Sequence, residues 1–405
     1  MIKKITLENF FSFSESTTID LNSGVNILVG INGSGKSNFL KGIRFLYESI
    51  SGKGIQKIFL NDWGGFNTVA NFNVSKADRI KLTYEFDKKI INNGKGFQFP
   101  GNPVYEVIIR KTGVTSYYLE ESLSCNYGEP EEYITLLKME NGNGFISTVE
   151  NNAISGIQRY DRGDIILFFD EQELMLRQNA DPSRFLPLHT LKQAIESIAG
   201  YDYFDTSFES NIRQRSFDGI ETKLLSTGEN LVQLLSRIKN YRTLQYEEIE
   251  AMLNKVNPNF KDISFDIFGN KVYLALREKK LAQTVGIGQI SDGTLRFLLL
   301  LSIFLNPERG YLVSLDEPEI GLHPDMIHTV AETIKKASVN SQLIIATHSP
   351  QLLNSFDIED VLVFEKDENN KTTVTRKSED DFEDWNDDFL VGQLWLRGKI
   401  GGKRW

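Results

Sequence analysis

The sequence predicts an α/β fold: a core sheet carries a glycine-rich loop, an antiparallel β layer is inserted after it, and a helical lobe follows. Three observations carry the prediction. The β-branched run Val25-Asn26-Ile27-Leu28-Val29 has the composition of a buried strand, and it leads through a glycine-rich turn into a helical pattern from Ser37 to Ser49. Apolar runs of the same kind recur far downstream, at Tyr311–Leu315 and Leu343–Ala346. Between them lies a long stretch of different texture, first β-rich with Asn/Gly turns and then helical.

Taken in order, a first strand is expected over Ile2–Leu7 and a second around Thr17–Leu21, with Gly24 as punctuation before Val25. Phe39, Leu40, Ile43 and Leu46 share one face of the following helix. Short β segments are expected at Arg79–Phe86, Tyr105–Lys111, Ser116–Leu119 and Phe145–Val149, with turns such as Asn141-Gly142-Asn143-Gly144 between them. From Ser183 the pattern is helical: Leu231, Leu234, Leu235 and Ile238 recur at helical spacing, and a further helix over Tyr246–Val256 is stopped by Asn257-Pro258. β texture returns from Ile263 to Leu276. No heptad pattern persists over several repeats, so no long coiled coil is expected. The division that follows is a discontinuous core over 1–52 and 285–378, a β-rich insertion over 53–182, a helical lobe with the returning β segment over 183–284, and a tail over 379–405.

Bulk properties bound the function classes. A chain of 405 residues exceeds the size of a single growing core, so two lobes are expected. No apolar run approaches the ~20 residues that span a bilayer, and the start MIKKITLENF has no signal-peptide core. One cysteine, Cys125, excludes an intramolecular disulfide framework. These features together predict a cytoplasmic protein with no membrane partner. The formal net charge of -10 argues against a generally basic coat, though a local groove suffices to neutralise phosphates. The acidic run Glu379–Asp388 contains no His or Cys and reads as a solvated segment.

Four motifs carry chemistry. Gly30-Ile31-Asn32-Gly33-Ser34-Gly35-Lys36-Ser37 is a complete phosphate loop, placed between a buried strand and a helix. Its glycines let backbone N–H groups converge on phosphates, and the helix N-terminus adds its positive dipole end. Lys36 supplies a cation for the β- and γ-phosphates of ATP, and the Ser37 hydroxyl is a Mg²⁺ ligand. Downstream, the strand Tyr311–Leu315 ends in Asp316-Glu317-Pro318, adjacent carboxylates that are costly to bury without a cation. Asp316 suits Mg²⁺ and Glu317 suits the polarisation of an attacking water. The strand before Thr347-His348-Ser349-Pro350 puts His348 at the carboxyl edge of the sheet, within reach of a γ-phosphate or the lytic water. Finally, Ser291-Asp292-Gly293-Thr294 precedes the apolar helix Leu295–Leu305 and reads locally as an N-cap.

Together these residues resemble the ABC-type ATPase superfamily, and within it the RecF/SMC/OLD-like branch. The resemblance covers roughly Met1–Leu46 and Gln289–Lys366. Ile5-Thr6-Leu7-Glu8-Asn9-Phe10 looks like the N-terminal strand and Asn-Phe turn of that branch, and Ser37-Asn38-Phe39-Leu40 continues the loop as it does there. Glu319-Ile320-Gly321-Leu322-His323-Pro324 looks like the D-loop of OLD-type defence ATPases. The resemblance implies that Gly30, Asn32, Gly33, Ser34, Gly35, Lys36, Ser37 and Asn38 bind ATP. It implies that Ser291, Asp292 and Gly293 form a signature motif gripping the γ-phosphate held by a second copy. It further implies a homodimer through an ATP sandwich, a nucleotide-driven switch acting on DNA or on a separately encoded effector, a nuclease or toxin, as in anti-phage systems. No site of a Toprim or metal-finger nuclease is visible in the sequence. The Q-loop glutamine is left open among Gln56, Gln98 and Gln158.

A RecF-like DNA-clamping ATPase is the alternative, with Arg213, Arg215, Arg237, Lys239, Arg242 and Arg277-Glu278-Lys279-Lys280 as candidates for a basic groove. The apolar, basic and aromatic tail after Asp388 either folds back onto its own core or docks a partner.

Overall fold

The computed structural model describes residues 1–74, 77–92, 94, 96–113, 116–126, 132–162, 169–214, 216–217, 221–268, 271–382 and 390–401. Arg215, residues 383–389 of the acidic run and tail, and the end of the tail at 402–405 lie outside the described residues. The chain forms two compact units: 1–23, 30–198 and 364–375 make the first, and 24–29, 199–363 and 376–405 the second.

The first unit is built on an eight-stranded sheet. In chain order the strands are β1 (Ile2–Glu8) and β2 (Thr17–Asp20), then, after β3 (Val25–Val29) of the second unit, β4 (Arg79–Phe86), β5 (Pro103–Lys111), β6 (Tyr117–Asn126), β7 (Tyr133–Glu140), β8 (Asn143–Glu150) and β9 (Ala153–Tyr160). They lie in the order β2-β1-β4-β5-β6-β7-β8-β9, each pair antiparallel. The N-terminal strands therefore belong to the same sheet as the inserted segments, with Ile5 opposite Tyr84. One-sided burial follows from alternation: Arg79–Phe86 and Tyr117–Asn126 both alternate between half-buried and buried positions. The β7–β8 turn is Asn141-Gly142, both at positive φ, the two-residue geometry that Asn-Gly favours.

Helices α1 (Lys36–Ile50), α2 (Phe66–Val69), α3 (Lys88–Ile91), α4 (Met175–Gln178) and α5 (Leu186–Glu196) complete this unit. Phe39, Leu40, Ile43, Phe45 and Leu46 are the buried face of α1. Gly42 lets α1 approach β1 closely, because a Cβ there would lie 3.2 Å from the Leu7 methyl. The Tyr84 hydroxyl of β4 donates to the Gly42 carbonyl at 2.7 Å.

The second unit holds a parallel sheet in the order β10-β15-β16-β3-β17. Its strands are β10 (Ala199–Tyr201), β15 (Leu312–Asp316), β16 (Gln342–Ala346), β3 and β17 (Val361–Lys366). β3 and β16 are buried at every residue, as continuous apolar strands covered on both faces must be. The run 364–375, which carries the end of β17 and most of β18 (Thr372–Arg376), belongs to the first unit. A smaller antiparallel sheet contains β11 (Ser216–Phe217), β12 (Phe260–Phe268), β13 (Lys271–Glu278) and β14 (Val285–Gly286). Around these pack α6 (Leu231–Tyr241), α7 (Thr243–Val256), α8 (Asp292–Phe304), α9 (Pro324–Ser338), α10 (Pro350–Leu353) and α11 (Val391–Leu396).

One apolar cluster runs through this unit from Val25 to Ile400. α8 sits at its centre and is buried continuously from Phe297 to Phe304. Val391, Leu394, Trp395 and Ile400 belong to the same cluster, so the described part of the tail folds back onto its own core. Gly392 marks the closest approach, where a Cβ would meet the Pro350 carbonyl of α10.

Candidate nucleotide site

The phosphate loop lies in the first unit. Gly33 and Gly35 have φ of 79° and 115°, values a side chain strains to adopt. A Cβ on Gly35 would lie 2.5 Å from the Thr372 hydroxyl and 2.8 Å from that of Ser12. One on Gly30 would meet the Phe364 carbonyl and the Ser34 hydroxyl. Those hydroxyls brace the loop from outside. Thr372 Oγ1 donates to the Ser34 carbonyl at 2.8 Å and also meets Ser12 Oγ at 2.8 Å, while Asn38 Nδ2 donates to Ser12 Oγ at 2.9 Å. Neither Ser12 nor Thr372 carries a local sequence signal, being 360 residues apart.

The loop residues fit a polyphosphate. No side chain caps the N-terminus of α1, and a helix N-terminus carries the positive dipole end that suits an anion. Ser34 Oγ is buried with no hydrogen-bond partner. Lys36 is buried, and its ammonium donates to the loop's own carbonyls at Gly30 (2.9 Å) and Ile31 (3.3 Å). Asn32 and Ser37 are exposed at the loop surface. Beside Ser12 and Asn38 opens a cleft of about 190 Å³, edged by Lys366 and by Phe72, whose side chain is 83% exposed.

The carboxylates and the histidine lie in the second unit. Parallel register sets Asp316 beside Ala346 and Ala346 beside Leu28, so the carboxyl ends of β15, β16 and β3 share one edge, where open α/β sheets present ligand sites. Gly30 follows the last residue of β3 by one peptide bond. Glu317 has φ of 49°, an uncommon left-handed conformation for a residue with a Cβ, and its N–H donates to the Ala346 carbonyl at 2.9 Å. His348 Nε2 lies 3.5 Å from Glu317 Oε1, and each side chain is 34% exposed. Asp316 and Glu317 line a cavity of about 260 Å³ together with Tyr203, Arg296 and Ile320.

Glu319, two residues on, faces inward. Its Oε1 accepts hydrogen bonds from Thr347 Oγ1 (2.5 Å), the His348 N–H (2.9 Å) and the Ser349 N–H (3.1 Å). Burial pushes its carboxyl above the usual carboxylate range, while the bonds from Thr347 and His348 oppose the rise.

The signature segment begins with Ser291 as the cap of α8: its Oγ accepts from the Thr294 N–H at 3.3 Å and lies 2.8 Å from the Thr294 hydroxyl. Asp292 is held by Arg213 at 2.5 Å. The same guanidinium donates to the carbonyls of Thr206, Ile287 and Ile290 at 2.7–2.9 Å, and the side chain is only 5% exposed. Arg213 is thus an internal brace of the signature segment, which corrects its reading as a groove residue. Arg242 and Arg277 pair with Glu308 and Asp262, and Lys239 lies over Tyr246 and Phe265. Gly293 faces Gly321, and a Cβ on it would stand 2.9 Å from the Gly321 carbonyl. Arg296 of α8 donates to the Ile320 carbonyl at 3.2 Å and stacks 4.4 Å over the Tyr203 ring.

Residues 1–160 match the family described as an AAA ATPase domain, and residues 161–354 match an AAA domain described as a putative AbiEii toxin of a type IV toxin–antitoxin system. The chain belongs to the ABC-type P-loop ATPases of the RecF/SMC/OLD-like branch. This ATPase is similar to the probable ATPase of retron Ec83 from Escherichia coli, with 24% identity over 89% of the chain and 70% of that protein. It is similar to an ATP/GTP phosphatase of Helicobacter pylori at 22% identity, covering 94% and 93% of the two chains. Its fold is that of an Smc head solved with the C-winged-helix domain of ScpA, at a TM-score of 0.54 and 16% identity over 93% and 98% of the chains. No long coiled coil occurs among the described residues. No described helix is long and apolar enough to cross a membrane.

Proposed function

We propose that this ATPase is a nucleotide-driven dimeric switch that controls a separately encoded effector, a nuclease or toxin, in anti-phage defence. The observation that carries the switch is the turn Glu317–Gly321. At one end it presents Glu317 toward His348, and at the other it supports the signature segment through Gly321 and Arg296. A chain built this way couples the residues of its own hydrolytic site to those offered to a partner. Similarity to a retron ATPase supports the defence role.

In this reading the backbone N–H groups of Gly30–Gly35 and the α1 N-terminus hold the phosphates, with Lys36 leaving its loop carbonyls for the β- and γ-oxygens. Ser37 and Asp316 would hold Mg²⁺, which when bound neutralises charge on the phosphates. Glu317 takes a proton from the attacking water, and His348 orients that water or the γ-phosphate. The exposed Phe72 ring offers a stacking face for the base. Ser291 and Gly293 of one copy complete the site of the other, giving a homodimer with two ATP molecules between its subunits.

Glu317→Gln tests the assignment. The amide keeps size and hydrogen bonding but removes the base, so turnover should fall at least a hundredfold while ATP still binds. By light scattering the variant should then run as a dimer with ATP and as a monomer without it. Turnover at the wild-type rate would show that another group activates the water.

The DNA-clamping alternative predicts a steep fall of affinity with salt in a gel-shift titration, since phosphate contacts release counterions. The burial of Arg213 within the chain removes one candidate groove cation, which favours the effector reading.

A further inference from the structure

Two backbone N–H groups follow β16 where its ladder ends, at His348 and Ser349, just before Ser349 caps α10. Half-buried main-chain donors at such a place need acceptors, and one side-chain oxygen reaches both, with Thr347 Oγ1 as a second acceptor for the Ser349 N–H at 3.0 Å. Glu319 Oε1 takes these two N–H groups and the Thr347 hydroxyl together. Its other oxygen, Oε2, is buried with no hydrogen-bond partner. Loading three donors on one oxygen and none on the other is the arrangement of an acceptor that fixes a loop. A base or a metal ligand would need an oxygen directed at its target. The loop so fixed carries His348, whose imidazole lies 3.5 Å from the Glu317 carboxylate.

We propose that Glu319 is a positioning residue for ATP hydrolysis: its carboxylate clamps the Thr347–Ser349 loop so that His348 faces Glu317. This rests on the reading that Glu317 and His348 act on the lytic water. Glu319 touches neither nucleotide nor water in this account and acts only through the loop. Acceptance is all the role demands, so an amide serves it: a glutamine keeps Oε1 for the three donors and places its nitrogen where Oε2 now lies. Truncation removes the clamp: the Thr347 hydroxyl and the His348 N–H lose this acceptor, and the Ser349 N–H keeps only Thr347 Oγ1 at 3.0 Å.

Three variants, measured for kcat, KM, ATP affinity and melting temperature, test the clamp. Glu319→Ala should lower kcat at least tenfold with ATP affinity within threefold of wild type. Glu319→Gln should return kcat to within threefold of wild type, the opposite of Glu317→Gln. Thr347→Val keeps shape but removes one donor to Glu319 and the second acceptor of the Ser349 N–H, and should lower kcat by two- to tenfold; it serves also if Glu319→Ala fails to fold. A direct readout comes from histidine ring signals in selectively labelled protein, since the chain has four histidines. Glu319→Ala should move the His348 signal and leave those of His189, His323 and His328 in place. Wild-type turnover in Glu319→Ala, or an unmoved His348 signal, would overturn the proposal. So would a Glu319→Gln as inactive as Glu317→Gln, which would put the carboxylate itself in the chemistry. A wild-type rate in Glu317→Gln would remove the assigned base, while the His348 signal would still report on the clamp.

Discussion

Lys36 is surrounded by carbonyl oxygens of its own loop, so removing its ammonium subtracts the cation without opening a cavity in either apolar core. Loss of a charge-assisted contact costs roughly 1.5–3 kcal/mol. Lys36→Ala should therefore weaken ATP binding at least tenfold by calorimetry with an unchanged melting temperature; near-wild-type affinity would contradict the loop assignment. Phe72 offers a complementary probe, because its exposed ring contributes little to the fold. If the base stacks there, Phe72→Ala should weaken ATP binding several-fold, given ~1–3 kcal/mol per stacked base, and leave inorganic triphosphate binding unaltered. Equal losses for both ligands would remove the base from that cleft. At Gly293 the need for glycine has a cause within the chain, separate from the access to phosphate that the proposed signature role requires. Its Cα faces the Gly321 carbonyl, so Gly293→Ala should push the turn away and reduce turnover even where the γ-phosphate itself tolerates a methyl. Wild-type turnover in that variant would show that the contact relaxes freely.

At the scale of elements, the phosphate loop, the two carboxylate- and histidine-bearing strands and the signature helix were all legible in the sequence, because each is a local pattern with a local cause. Buried parallel strands read as apolar runs, and Ser291 announced its helix through capping chemistry. What was not legible depends on partners distant in the chain. β7 and β9 were missed: β9 is mostly exposed and lacks an alternating apolar face, and it is held by pairing to β8 across Asn151-Asn152. β10, only three residues long, joins the parallel sheet through Val313–Leu315. Arg213 reads in the sequence as a groove candidate because three of its four acceptors are distant in the chain, and Glu319 stood in a recognised motif without a role. The β insertion carries its own titratable lock. Glu121 of β6 accepts from the Tyr105 hydroxyl and from the N–H groups of Met175 and Leu176 at the start of α4, and burial pushes it up to about 7. Its folded pKa exceeds the unfolded value of 4.5, so its contribution is fully present below that value and is lost as pH rises toward 7. The difference in unfolding free energy between wild type and Glu121→Gln should fall by on the order of 3 kcal/mol from pH 4.5 to 8 in urea titrations. A pH-independent difference would show that folding leaves the Glu121 pKa unchanged.

At the scale of the whole molecule, the proposed switch requires each chain to supply half of each of two sites. One turn, Glu317–Gly321, carries contacts to both His348 and the start of α8, and under the proposed switch this would make hydrolysis and subunit contact one linked equilibrium. The purified chain is expected to hydrolyse ATP and to leave plasmid, linear and single-stranded DNA uncut with Mg²⁺ or Mn²⁺; cleavage that disappears with a mutation in this chain would place the nuclease here. The most direct test of the switch is complementation between Lys36→Ala and Ser291→Arg chains. Each homodimer should be inactive, the first for want of phosphate binding and the second because a bulky cation replaces the α8 cap. In a mixed dimer both lesions fall in one composite site and the other is intact. Phosphate release by mixed dimers, purified through two affinity tags, should recover toward half the wild-type rate. No recovery in verified mixed dimers, or full activity in Ser291→Arg alone, would contradict two independent sites completed in trans.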